Sequence, residues 1–173
     1  MTNKWLYLIS LNLIIVSTNI TAQTIKDYIS SNQPDSRYSV HGNGTVTDTY
    51  TGLMWKVCSE GQEWSSPATC SGTATEHNWQ QALELADITS FASFNDWRLP
   101  DIAQLRSIVA YDRYDPAINL TVFPATPSRG WYWSSSPIAY YSNNAWLVLF
   151  AYGSININNR NYKYFVRLVR GGQ

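Results

Sequence analysis

The chain has 173 residues, of which 45% are hydrophobic and only 14% charged, with eight Trp, twelve Tyr and a formal net charge of zero. That length is about one domain by the usual prior and can bury a real core, and the aromatic content excludes a disordered segment. The profile suits an extracytoplasmic globular domain with an exposed aromatic surface and shows no nucleic-acid-binding module.

Lys4 precedes an apolar run from Trp5 to Val16, broken only by Ser10 and Asn12, and a polar stretch then leads to Thr21-Ala22. This pattern predicts a cleaved secretory signal over residues 1–22, with Ile20 an imperfect residue three positions before the cut. A run of roughly a dozen residues is too short to span a bilayer, which needs about 20. The mature chain is therefore expected to be exported, to the periplasm, the cell surface or the outside, and to carry no transmembrane span. Residues 23–43 read as a weakly structured lead-in. Within them, Gln33-Pro34-Asp35 matches the tripeptide of galactose-type calcium lectins. Its place before the first strand, and a C-terminal third without carboxylates, argue against calcium.

The folded domain is expected over residues 44–173. Alternation and turn residues suggest strands at 44–48 and 53–57. Cys58 and Cys70 are the only cysteines, and an oxidising compartment favours joining them, for a stabilisation of about 3 kcal/mol. A metal site with His41 and His77 fits no zinc spacing, and a catalytic thiol at Cys70 would want a closer base than His77. No metal and no cofactor are expected. Asn78 with Gln81 predicts a helix start, followed by an apolar stripe at Trp79, Ala82, Leu83 and Ala86. Pro100-Asp101 with Gln104 predicts a second, burying Ile102, Leu105, Ile108 and Val109. Further strands are suggested at 131–135, 145–150 and 164–170. Strand, helices, then strands again point to an α+β fold.

The C-terminal third interleaves framework with a different composition. Trp131-Tyr132-Trp133-Ser134-Ser135-Ser136, Ala145-Trp146, Val148, Phe150, Gly153, Arg160 and 166–172 read as framework. Between them lie Tyr140, Tyr141, Ser142, Asn143, Asn144, Leu147, Leu149, Ala151, Tyr152, Ser154, Asn156, Asn158, Asn159, Asn161, Tyr162 and Tyr164. Tyrosine offers large, rigid contact area and small polar residues adapt their hydrogen bonds, so these sixteen positions are the candidate ligand-binding face. The bland alternative is an Asn-rich loop between strands. Every Asp and Glu lies at or before Asp115, whereas Arg129, Arg160, Lys163, Arg167 and Arg170 follow with no acid among them. Such asymmetry suits either a polyanion-binding face or pairing of those arginines with acids of the first half, such as Asp96 and Asp101.

Five ordered motifs carry a resemblance: residues 48–55 (Asp-Thr-Tyr-Thr-Gly-Leu-Met-Trp), Trp79 with Ala82, Asp96-Trp97-Arg98-Leu99-Pro100 with Leu105, Tyr132-Trp133-Ser134-Ser135, and Val166-Arg167-Leu168-Val169-Arg170. Over residues about 44 to 170 the chain resembles the C-terminal domain family of the Legionella collagen-like protein, a domain of unknown function. The resemblance implies a C-type-lectin-like fold, with two helices on a small, mostly antiparallel sheet and the N- and C-terminal strands together. No Gly-X-Y tract is present, so a collagen stem is not implied. Trp97 and Leu99 are expected in the core, and Arg98 is expected to bond a buried backbone group or a carboxylate.

The C-terminal segment also resembles the variable region of proteins diversified by retroelements that mutate adenines, where Asn codons vary and the framework stays fixed. On that resemblance Lys163 and Trp146 are fixed. The function expected is non-covalent recognition of a protein or polysaccharide on a surface. Two alternatives are an adhesin for sulfated polysaccharide and a relative of the formylglycine-generating oxidases. The second is disfavoured because the chain lacks their reactive cysteine pair near the C-terminal half, and no enzyme activity is expected.

Overall fold

The computed structural model describes residues 23–65 and 69–171, so the expected signal segment lies outside the described residues. The first half runs β1 (Thr24–Ile25), a 3-10 turn (Asp35–Arg37), β2 (Tyr38–Val40), β3 (Thr45–Asp48), β4 (Met54–Lys56), β5 (Glu63–Ser65), β6 (Thr69–Ser71) and β7 (Glu76–His77). Two helices follow, α1 (Trp79–Ile88) and α2 (Ile102–Ser107). The second half is β8 (Arg113–Tyr114), β9 (Trp131–Pro137), β10 (Asn144–Leu149), β11 (Ser154–Asn159), β12 (Tyr164–Phe165) and β13 (Val169–Arg170). The fold is α+β, dominated by strands, as expected.

Both helices begin where the caps predict. The Asn78 side chain accepts from the Gln81 N–H while the Gln81 side chain accepts from the Asn78 N–H, and Asp101 with Gln104 repeats the arrangement. Each box satisfies two otherwise orphaned donors, and the cap alone is worth about 1 kcal/mol. Helix α2 stops at Ser107, so Ile108 and Val109 are buried just beyond it rather than on it.

Two sheets organise the rest, a five-stranded one in the order β11-β10-β9-β12-β7 and a four-stranded one in the order β13-β4-β3-β2. Among the described residues only the β9–β12 pairing is parallel. Side chains alternate across a strand, and the five-stranded sheet shows it. Tyr132 and Val148 enter one core cluster with Leu105 and Ile108, whereas their neighbours Trp133 and Leu147 enter another with Ala82 and Ala86 of α1. Each face of the sheet is thus buried against its own helix. Indole donors fasten α1 to this sheet and brace its β7 edge, through Trp79 Nε1 to the Ser134 carbonyl and Trp133 Nε1 to the His77 carbonyl, both 2.8 Å.

Residues 164–170, expected as one strand, divide between the sheets, because β12 pairs with β9 and β7 while β13 pairs with β4. Val166 and Leu168 face the α1 cluster. Between them Arg167 is fully buried, donating to the carbonyls of Lys56 and Val57 and to the hydroxyls of Ser59 and Thr126. The rings of Phe123 and Tyr132 lie 4.9 and 5.9 Å from its guanidinium. Burial draws its pKa down, and the surrounding oxygens and π-faces take the place of a carboxylate. Arg98 bonds Gln104 and the Gly171 carbonyl, the latter an exposed backbone partner rather than a buried one. Trp97 and Leu99 are core residues.

The lead-in is not weakly structured. β1 pairs with β8, Asn32 and Gln33 donate to carbonyls of residues 107 and 109, and β2 extends the four-stranded sheet. Polar side chains do this work, so no hydrophobic period announces it. Gln33 is 1% exposed and holds the Tyr38 hydroxyl as well, while Asp35 accepts from Asn119. The galactose-lectin tripeptide is therefore a latch within the fold. Cys58 and Cys70 are joined, with Cα atoms 5.5 Å apart, tying β6 to the segment that follows β4.

Candidate functional site

β10 and β11 form a six-pair antiparallel hairpin, from Asn144 opposite Asn159 to Leu149 opposite Ser154. Strand propensity does not predict β11, whose sequence Ser-Ile-Asn-Ile-Asn-Asn is half asparagine. Its pairing comes from β10, which is buried and strongly apolar. β11 is the edge of the sheet.

The register decides where the candidate residues go. Tyr140, Tyr141, Ser142 and Asn143 precede β10, and Asn161 and Tyr162 follow β11, so all six lie at one end of the hairpin. Backbone bonds from Asn144 to Tyr141 and from Arg160 to Asn143 hold that end together. Tyr140 is 86% exposed, Tyr141 55% and Tyr162 60%, and the Tyr140 and Tyr141 rings meet edge to face at 5.2 Å. Tyr152, 64% exposed, sits in the opposite turn. Six residues of strand separate the two ends, about 20 Å. The candidate tyrosines thus form two stations rather than one face.

Ser154 and Asn156 are exposed on the edge strand, while Asn144, Leu149, Asn158, Asn159 and Tyr164 are half-buried. Asn158 donates to the Tyr164 hydroxyl at 2.5 Å, and the Tyr164 ring packs edge-on against Trp133. Burial raises the Tyr164 hydroxyl pKa, and the nearby Tyr162 and Glu76 add to the rise. Two candidates are not on the surface at all. Leu147 is 1% exposed and Ala151 2%, because Leu147 lies opposite Trp133 on the α1 face and Ala151 follows the buried Phe150 into the turn. Both belong to the framework; for Leu147 the signal is its place on the inward-facing side of an apolar strand, whereas Ala151 lies in the turn beyond β10, where no strand period applies.

Around Tyr152 the fold assembles residues that sequence reasoning missed. Lys26 of the lead-in, with Tyr111, Arg113 and Tyr114, joins Tyr152 around an open cleft of about 540 Å³. Lys26 Nζ lies 5.5 Å from the Tyr114 ring, and Arg113 pairs with Asp112 at 2.9 Å. These positions come from three separated segments, with no shared spacing to reveal them.

The acid-free tail does not form a basic face. Arg167 is buried, Arg170 pairs with Asp96 at 2.6 Å, and Arg160 stacks on Trp79 at 4.1 Å. The Arg170 bond, and its charge beside that carboxyl, hold the Asp96 carboxyl below the usual range. Arg129 and Lys163 are the exposed remainder. Both cysteines are committed to the disulfide.

Fold and site together define a small α+β domain that buries a tryptophan-rich framework and displays tyrosines at both ends of an edge hairpin. The Lcl C-terminal domain family matches residues 44–170, and the chain belongs to that family. No curated protein matches the chain. No helix among the described residues is long and apolar enough to cross a membrane.

Proposed function

We propose that the chain is an exported recognition module, of C-type-lectin-like architecture, that binds a protein or polysaccharide ligand without covalent chemistry. The observation that carries this reading is the exposure of Tyr140, Tyr141, Tyr152 and Tyr162 beside a framework whose Trp133, Leu147, Val166 and Leu168 are buried. Exposed tyrosines are costly to solubility and give large contact area at low entropic cost, which is the pattern of a paratope. The contact surface centres on Tyr140, Tyr141, Ser142, Asn143, Asn161 and Tyr162, with Tyr152 a second station. Diversification by a retroelement is part of the same proposal, restricted to the exposed positions.

The test is to sequence the gene and its flanking DNA across many cells of one population. Differences confined to adenines of a nearby near-copy, at the exposed codons among 140–164 and sparing 147 and 151, support the reading. One invariant sequence without such a copy removes the diversification. Loss of diversification leaves a fixed recognition domain, tested by Tyr140→Ser with Tyr162→Ser against ligand-bearing cells. Binding unchanged by that pair refutes the surface itself. The polyanion alternative has lost three of its five cations to the fold, and heparin retention insensitive to moderate salt would dispose of the remainder.

A further inference from the structure

An edge strand offers a row of unpaired N–H and C=O groups that invites another strand, and proteins guard it with charge, proline or a bulge. β11 has none of these. Residues 144–159 contain no charged residue and no proline, and the β10–β11 register runs unbroken over six pairs. The Arg160 N–H donates to Asn143, on the β10 side. Alternation then aims the N–H groups of residues 155, 157 and 159 outward, away from β10.

Two of those three donors are already occupied. The Asn156 Oδ1 accepts from the N–H of Ile157 at 2.8 Å, and the Asn158 Oδ1 accepts from the N–H of Asn159 at 2.8 Å. Just past the strand, the Asn159 Oδ1 accepts from Asn161 at 3.0 Å. The Asn156 and Asn158 side-chain carbonyls thus occupy two of the donors that an incoming strand would need. Asparagine suits the task because its short side chain reaches its own neighbouring backbone.

We infer that Asn156 and Asn158 are plugs of an otherwise open sheet edge, and that the partner they exclude is a second copy of this chain, paired β11 to β11. Self-pairing is what the strand's chemistry favours once unplugged. With no charge in β11 there is no repulsion across a two-fold axis, and an antiparallel pair centred on Asn156 would set Ile155 of each copy opposite Ile157 of the other. On that side Ile155 and Trp146 already line an apolar groove of about 180 Å³ with Ile102, Ala103 and Arg106 of α2. The inference concerns backbone donors, so it stands apart from what the tyrosines bind.

The disulfide-intact protein tests it without any ligand. In amide hydrogen exchange, Ile157 and Asn159 are expected to exchange about tenfold or more slowly than Ile155, whose N–H has no plug. Asn156→Val with Asn158→Val is expected to turn a monomer into a concentration-dependent dimer in sedimentation velocity, and adding Ile155→Lys is expected to restore the monomer. Because Asn158 also holds Tyr164, Asn156→Val alone, at an exposed side chain, is the guard against misfolding and should give a weaker dimer. Equal exchange at 155, 157 and 159 overturns the inference. So do folded variants that stay monomeric, or an unmodified protein that already dimerises through β11.

Discussion

Replacing Leu147 by alanine tests the boundary between framework and contact surface at the position where composition and burial disagree most. The side chain is 1% exposed and packs among Trp97, Trp133, Val166 and Leu168. Truncation removes the equivalent of three buried methylenes, about 2.4 kcal/mol of transfer free energy at about 0.8 each. Two indoles and two strands line the site and cannot collapse fully, so the residual cavity should bring the loss to about 3–5 kcal/mol. For a domain of this size each kcal/mol lowers Tm by about 2–4 °C, so a fall of about 6–20 °C is expected. Tyr152→Ala, in an exposed turn, should stay within about 0.5 kcal/mol. Thermal unfolding followed by circular dichroism, with the disulfide intact, reads both. If Leu147→Ala melted within 1 °C of the parent, or if the two variants shifted alike, the division drawn here would be wrong.

Two further outcomes follow from the scaffold. Cys58→Ala with Cys70→Ala opens a 12-residue separation, and urea unfolding should show a loss of about 3 kcal/mol. The Asp48 carboxylate is buried, which alone would raise its pKa, but Arg37 at 2.7 Å, Thr51 at 2.8 Å and the Tyr50 N–H at 3.0 Å hold it below the ordinary value. A carboxyl lowered by folding stabilises fully above its unfolded pKa of about 3.9 and loses that contribution as pH falls through the folded value. Stability measured against pH should therefore drop below about pH 4, and Asp48→Asn should flatten that acid limb while lowering stability at neutral pH.

Much of the scaffold was legible because it is written in local chemistry. Asn78 with Gln81 and Asp101 with Gln104 announce their helices, and the apolar runs of β9 and β10 announce their strands. The two cysteines, even in number and alone, announced their bond. What the sequence hid depends on partners far along the chain. β11 is a strand only because β10 is beside it, and the lead-in is ordered by Gln33 and Asn32 reaching carbonyls more than seventy residues away. The tail from 164 to 170 reads as one apolar period but serves two sheets, a distinction no periodicity encodes. For the candidate face, composition found the exposed tyrosines and also collected Leu147 and Ala151, since residue type alone does not say which side of a strand a position faces. The cleft around Tyr152 draws on segments that share no pattern at all.

The split of that tail has a consequence for how the molecule comes into being. β12 is an interior strand, between β9 and β7, and β13 completes the pairing of β4. Without residues 164–170 the central sheet has a gap, Lys56 and Val57 lack the guanidinium that caps their carbonyls, and neither hydrophobic cluster is closed. A chain truncated short of that stretch is expected to stay open and protease-sensitive, and the two sheets and both clusters are expected to close together rather than piecewise.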